Sequence, residues 1–223
     1  MTLALETNTI ILWVLAAFEL LLTLYIFFRY QKTQSIYALC GMLFGFTLMS
    51  FFVGFLMTSI SSSTKLFIAE SAFYAGAASF VCLFAFALYY PLPTVLRSSL
   101  RRISIFGSLL LLIPIVYNHH FLNQVDVNGG TIHVEPGALF WLFILFSVAF
   151  YLASIVVLIR KAKHAAPQQK HQVMLVTVII GITGLLGLVA DRLLPVLGVS
   201  LNMAYTPIAA ACVAVLVAVI ALG

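Results

Sequence analysis

The sequence predicts an all-α integral membrane protein, a bundle of seven transmembrane helices with its N-terminus outside and its C-terminus in the cytoplasm. Three observations predict this class. Of 223 residues, 64% are hydrophobic and only 8% are charged, whereas charged residues make up about 25% of ordinary soluble domains. Apolar stretches recur that are long enough to cross a bilayer core about 30 Å thick. Basic residues are concentrated in alternate loops.

The spans follow from windows of about 20 apolar residues. The segment 1–9 carries Glu6 and no basic residue, which is unlike a cleavable signal peptide, so the first apolar stretch is expected to stay as a helix. Pro91 stops the third span, and Pro114 lies near the end of the short fourth span. The predicted spans are 9–28, 35–59, 66–90, 103–117, 138–159, 173–190 and 203–222.

The basic residues orient this bundle. Lys65 and Arg192 fall on one side, and the other basic residues fall in loops on the opposite side, which we expect to be cytoplasmic. Seven spans preserve this alternation and six would break it. The net charge of +5 is therefore interpreted as a topology signal, and no nucleic-acid partner is expected. The basic residues on the cytoplasmic side are Arg29, Lys32, Arg97, Arg101, Arg102, Arg160, Lys161, Lys163 and Lys170.

The longest external segment, 118–137, predicts a small β-hairpin between the fourth and fifth helices. Asn128-Gly129-Gly130 stands between the short runs 124–127 and 131–134. Asn-Gly and Gly-Gly readily adopt the positive φ angles of tight hairpin turns. The hairpin is expected to lie over the outer mouth of the bundle.

Stripes of small residues predict close helix packing in lipid. Gly41 and Gly45 form such a pair on the second helix, and Ser71, Ala75 and Ser79 form a stripe on the third. Packing within the chain is favoured over dimerisation for these stripes.

Acidic residues within apolar spans are costly and are often functional. Glu19 lies in the middle of the first span and is too deep to be merely solvated, so a functional role is favoured. Glu70 lies about one turn below the outer end of the third span, with Tyr74 on the same face, and solvation and function are about equally expected there. Asp191 and Arg192 are more simply interpreted as interfacial residues.

We expect an outward-facing pocket between the helices that holds Glu19 and Glu70. Polar residues of the outer half, Thr206 among them, could converge on it. The candidate ligand-binding residues are Glu19, Glu70, Tyr74, Asn202, Tyr205, Asp191 and Arg192.

A metal site is a weaker interpretation of the sequence. His119, His120 and His133 lie in the external segment near Asp126 and Glu135, and imidazole with carboxylate could ligate zinc or copper. No compact spacing such as His-Glu-x-x-His is present, so ordinary loop histidines are favoured and no metal or cofactor is expected. The stretch 203–223 contains no lysine, which excludes a retinal Schiff base there.

Several segments resemble the seven-helix N-terminal sensor region of bacterial and archaeal histidine kinases. Residues 69–74 and 84–91 are similar to the start and finish of that family's third helix. Residues 113–118 resemble its proline-bearing fourth helix, 137–141 resemble the Gly-x-x-Phe-Trp opening of its fifth, and 170–172 resemble the start of its sixth. The resemblance covers almost the whole chain.

The resemblance implies one sensor domain, 1–223, in a prokaryotic plasma membrane. Such a domain would detect an extracellular or membrane-borne small molecule and relay the signal to a cytoplasmic histidine-kinase transmitter, and it would work as a homodimer. The chain carries no phosphorylatable-histidine box or nucleotide motif, so it is not expected to be an enzyme by itself; it is either truncated before an effector or acts with a separate partner.

Two other functions stay open. The alternative is a small proton- or cation-coupled transporter or channel using Glu19 and Glu70, and a membrane-embedded metal enzyme is a third interpretation.

Overall fold

A computed structural model describes residues 2–58, 61–91, 98–118, 120–128 and 131–188. Six helices and one β-hairpin occupy these residues. The last predicted span, 203–222, and the candidate residues Asp191, Arg192, Asn202 and Tyr205 lie outside the described residues. In chain order the elements are α1 Thr2–Arg29, α2 Gln34–Leu56, α3 Ser62–Tyr89, α4 Ser98–Val116, β1 Leu122–Asn128, β2 Thr131–Pro136, α5 Ala138–His164 and α6 Pro167–Leu188.

Four of these helices are long and apolar enough to cross a membrane. They contain the stretches Thr9–Arg29, Gln34–Leu56, Ser63–Tyr89 and Ala138–His164. Helix α4 adds a shorter apolar stretch, Ile105–Val116. Each of the four exceeds the roughly 17 residues that a membrane-spanning helix needs, so the prediction of a multi-pass membrane protein is confirmed.

Consecutive helices run antiparallel, which gives the described bundle two ends. Cys40 contacts the Thr23 carbonyl near the short α1–α2 connection, while Gly54 packs against Trp13 far from it. We call the end that carries the hairpin the hairpin end. The opposite end, where Arg29, Lys32 and Lys163 lie, is called the basic end.

Helix α2 packs tightly against α3 through the small residues that were predicted from the sequence to lie between helices. A Cβ atom added at Gly41 would lie 3.0 Å from Cys82 Sγ, and one added at Gly45 would lie 3.1 Å from the Ala75 carbonyl oxygen. Ser79, beside Gly45, donates a hydrogen bond to the Met42 carbonyl at 3.3 Å. The prediction that these stripes pack within the chain is confirmed.

The hairpin is confirmed as an antiparallel pair in which Val125 faces Val134 and Asp126 faces His133. It is attached firmly to the bundle. A Cβ at Gly137 would lie 3.0 Å from the Phe121 carbonyl oxygen, and the Gly137 amide donates to that same oxygen at 2.8 Å. Only glycine leaves room for this approach, which explains the first residue of the segment 137–141.

A cluster of phenylalanines fills the junction between the hairpin, α3 and α5. Phe73 lies 5.5 to 5.8 Å from the rings of Phe121, Phe140 and Phe143, in edge-to-face geometry. Phe121 and Phe143 are completely buried. The cluster fixes the hairpin over the ends of α3 and α5, because such ring pairs contribute beyond their burial alone.

Candidate functional site

Glu19 ties α1 to α2 in the middle of an apolar interface. It is the central residue of the span Thr9–Arg29 and only 1% of its side chain is exposed. The Ser50 hydroxyl of α2 donates a hydrogen bond to Glu19 Oε2 at 3.1 Å. We call this pair the α1–α2 link.

The α1–α2 link is incomplete. Glu19 Oε1 is buried and has no hydrogen-bond partner among the residues that the structure describes, and the Glu19 backbone carbonyl accepts a hydrogen bond from the Thr23 hydroxyl at 2.7 Å. A carboxyl oxygen buried without a donor costs about 1–3 kcal/mol. Glu19 is therefore buried and only half hydrogen-bonded within the described part of the chain, so a small change in packing at this position has an energetic effect.

Ser50 differs from the buried hydroxyls that form hydrogen bonds only within their own helix. The hydroxyl groups of Thr47, Ser154 and Thr177, for example, donate hydrogen bonds to the carbonyl oxygen four residues earlier in the same helix. This arrangement is common for serine and threonine in helices. Ser50, which is completely buried, instead donates across the interface. Its hydrogen bond therefore depends on the relative position of two helices.

Glu70 is the second acid in an apolar span, and it lies in a different environment. Its side chain is 8% exposed, on the third turn of α3. Around it on the same helix, the Ser71 hydroxyl lies 3.1 Å from the hydroxyl of Tyr117 at the end of α4, and the rings of Phe67 and Tyr74 lie 5.7 and 6.0 Å from the Tyr117 ring.

The helical period fixes the direction of Glu70. With 3.6 residues per turn, Phe67, Ser71 and Tyr74 form the stripe of α3 that faces Tyr117, whereas Phe73 faces the hairpin and α5. Glu70 lies between these two directions, beneath the hairpin. We call Phe67, Glu70, Ser71, Tyr74 and Tyr117 the hairpin-end site.

The two acids lie near one level but on opposite sides of α2. The contacts Gly41–Cys82 and Gly45–Ser79 set the register of the antiparallel helices α2 and α3, and in this register Ser50 lies level with Tyr74. Because Glu70 precedes Tyr74 by four residues of helix, it lies about 6 Å nearer the hairpin end than the α1–α2 link. The Glu19 carboxyl is hydrogen-bonded to Ser50, and Tyr74 is directed at α4, where its hydroxyl lies 3.5 Å from the Leu109 carbonyl. The described structure thus joins Tyr74 with Tyr117 and does not join it with Glu19.

Two of these partners were missed in the sequence. Ser50 is an isolated polar residue in the apolar run 48–53, and that isolation was the available signal. Tyr117 lies in the segment 113–118, whose sequence indicated only the family resemblance. Among the residues that the structure describes, no group of three or more His, Cys, Asp or Glu side chains is arranged to hold a metal ion.

The basic end carries a further long-range contact. Lys161 of α5 donates hydrogen bonds from Nζ to the carbonyl oxygens of Leu88 and Tyr90, both at 2.8 Å. The last carbonyl groups of a helix have no partner within the helix, and a cation beside them also complements the negative end of the α3 dipole. Helix α3 is therefore held at the hairpin end by the phenylalanine cluster and at the basic end by Lys161.

Comparison with known proteins gives one family. A family model described as the N-terminal 7TM region of histidine kinase matches residues 11–222. None of the curated proteins matches the chain.

Proposed function

We propose that this chain, which belongs to the family of N-terminal 7TM regions of histidine kinases, detects a small molecule from outside the cell or from the membrane and relays its presence to a cytoplasmic histidine-kinase effector. The match extends over almost the whole chain and supports a membrane sensory input domain. The proposal adds the orientation predicted from the basic residues, with the hairpin end outside and the basic end in the cytoplasm. It also adds a seventh span, 203–222, that leads to the effector.

One observation carries the proposed relay: the half-satisfied α1–α2 link. A sensor needs two arrangements of similar free energy, because a ligand shifts a population only through its different affinity for the two states. Glu19 has one oxygen bonded to Ser50 and one that no residue in the described part of the chain contacts by a hydrogen bond. A movement of α1 against α2 can transfer the Ser50 hydrogen bond from one Glu19 oxygen to the other at a small net cost in free energy. Such an exchange suits an element with two states.

The test compares two buried serines. Residues 1–223 are joined to a histidine-kinase transmitter, reconstituted in vesicles, and assayed for autophosphorylation. Ser50→Ala removes a hydrogen bond between helices, whereas Ser154→Ala removes one within a helix. A buried hydrogen bond contributes about 1 kcal/mol, so Ser50→Ala should change the basal rate about fivefold and Ser154→Ala less than twofold. Equal rates for the two variants would contradict the relay.

The alternative, a proton- or cation-coupled transporter, is tested in the same vesicles. A pH-sensitive dye and a potassium-selective electrode should record no flux above that of empty vesicles. Flux that Glu19→Gln or Glu70→Gln abolishes would favour the transporter over the sensor.

A further inference from the structure

We propose that a groove on the exposed face of α1, near the basic end, binds an anionic phospholipid, with an acyl chain along its apolar wall and the phosphate at Arg29. The groove has a volume of about 450 Å³ and its apolar wall ends at this arginine. Lipid binding here is separate from the proposed sensing function and does not depend on it. The groove, which we call the α1 groove, is lined by Leu21, Leu24, Tyr25, Phe28 and Arg29.

The α1 groove faces away from α2. Its lining residues recur every three or four positions, so they share one side of the helix. Leu21, Tyr25 and Phe28 are 66%, 58% and 77% exposed. The opposite side of α1 is buried and includes Leu12, Ala16, Glu19, Thr23 and Ile26. In a bilayer the groove therefore meets lipid chains.

The length of the α1 groove matches one leaflet of a membrane. Eight residues separate Leu21 from Arg29, which is a rise of about 12 Å along a helix, and half of a bilayer core is about 15 Å thick. A volume of about 450 Å³ also falls within the range of about 300–1,000 Å³ that small-molecule sites occupy. An acyl chain in the groove would therefore have its headgroup beside Arg29.

The charges around Arg29 favour a phosphate. Arg29 is the exposed last residue of α1, and a guanidinium group can donate two parallel hydrogen bonds to phosphate oxygens. Lys32 adds a second positive charge, with its Nζ 5.5 Å from the ring centroid of Phe27, beside the same helix end. Tyr25 precedes Arg29 by one turn, and tyrosine is common at the level of lipid headgroups.

The same charges disfavour a second copy of the chain as the occupant. Among the residues that the structure describes, no aspartate or glutamate lies at the basic end. A second copy packed here in parallel would bring more positive charge to Arg29 and no described acid to offset it. An anionic lipid supplies the missing counter-charge, and the positive field of this end raises its local concentration.

Brominated lipids, which quench tryptophan emission on contact, test the proposal in vesicles of the intact chain. Trp13 and Trp141 are replaced by phenylalanine, and Phe28→Trp places the reporter in the α1 groove. The matched control is Ile159→Trp on α5, which is also exposed and adjoins the exposed Arg160 at the basic end. Quenching by brominated phosphatidylglycerol is compared with quenching by brominated phosphatidylcholine.

The reporter in the groove should prefer the anionic lipid about fivefold, the contribution expected from one arginine at an anionic headgroup. The Ile159→Trp reporter should show a preference within twofold. Equal preferences at the two positions would reduce the effect to general attraction by basic residues and overturn the proposal. Emission from Phe28→Trp that neither lipid quenches would show that a protein surface covers the groove, which also overturns it.

Two substitutions assign the preference to the arginine of the groove. Arg29→Gln, added to Phe28→Trp, should bring the preference within twofold, whereas Arg160→Gln should leave it unchanged. Circular dichroism identifies any variant that fails to fold. A preference that persists in folded Arg29→Gln would overturn the assignment.

Native mass spectrometry repeats the test without an introduced tryptophan. After exposure to equal amounts of the two lipids, the parent chain and Arg160→Gln should each retain one more phosphatidylglycerol than Arg29→Gln. Equal retention by all three would overturn the proposal. Both measurements are made without an effector, so a negative result leaves the Ser50→Ala test of the relay standing, and the reverse also holds.

Discussion

The two acids in the apolar spans look alike in the sequence and differ in their surroundings. Glu19 is enclosed between α1 and α2 and is 1% exposed; within the described residues, one of its oxygens accepts from a serine and the other has no hydrogen-bond partner. Glu70 is 8% exposed on α3 at the hairpin end, where the nearby rings of Phe67 and Tyr74 lie against Tyr117. We propose that the enclosed acid responds to the relative position of two helices, and that the acid at the hairpin end is the better placed of the two to meet a ligand. The comparison suggests a division between relaying and receiving a signal.

The largest effect is expected from a substitution that disrupts the hairpin and leaves the α1–α2 interface intact. Gly137→Leu would place a side chain against the Phe121 carbonyl, where even a Cβ lies at 3.0 Å, and overpacking of this kind costs about 1–3 kcal/mol or more. Amide hydrogen exchange in 122–136 should rise at least tenfold, while exchange in the α1–α2 interface should stay within twofold of the parent.

The control for that variant is Gly107→Leu. Gly107 lies on α4, and apart from its own helix no described residue has an atom within 4 Å of an added Cβ, so amide exchange in the hairpin and in the α1–α2 interface should stay near that of the parent. If Gly137→Leu leaves the hairpin protected, or loosens α1 and α2 equally, the two regions are not independent.

A smaller effect sharpens the account of the α1–α2 link. Ser50→Ala leaves the whole Glu19 carboxyl without a donor from α2 and should destabilise the α1–α2 pair by about 1–3 kcal/mol. Replacing both partners, Glu19→Leu with Ser50→Ala, removes the buried polar group and should recover most of that loss. Exchange rates in α1 give the free-energy differences, and additive effects of the two substitutions would exclude a direct interaction.

The elements that the sequence predicted well are those governed by local patterns. Apolar runs located the helices, and the fifth begins at Ala138 as expected. Asn128-Gly129-Gly130 marked the hairpin. Gly41 and Gly45 marked the contact with α3. Each of these signals lies within a few residues of the chain, so composition and spacing suffice.

The partners of the site residues depend on packing between distant segments. Ser50 is 31 residues from Glu19, Tyr117 is 46 from Ser71, and Lys161 is 73 from Leu88. In water, an apolar stripe on a helix would show which face is buried. In lipid, both faces are apolar, so the sequence gives no such stripe, and neither the face of α2 that meets α1 nor the face of α4 that meets α3 could be assigned before the structure.

The central claim is that α1 has two positions relative to the rest of the bundle and that the α1–α2 link sets their balance. Spin labels at Val14→Cys on α1 and Leu145→Cys on α5, both exposed in the structure, report this by double electron–electron resonance in nanodiscs, with the native cysteines replaced by alanine. The account predicts two distance populations whose ratio changes about fivefold in Ser50→Ala and stays constant in Ser154→Ala. A single distance that neither substitution alters would contradict it.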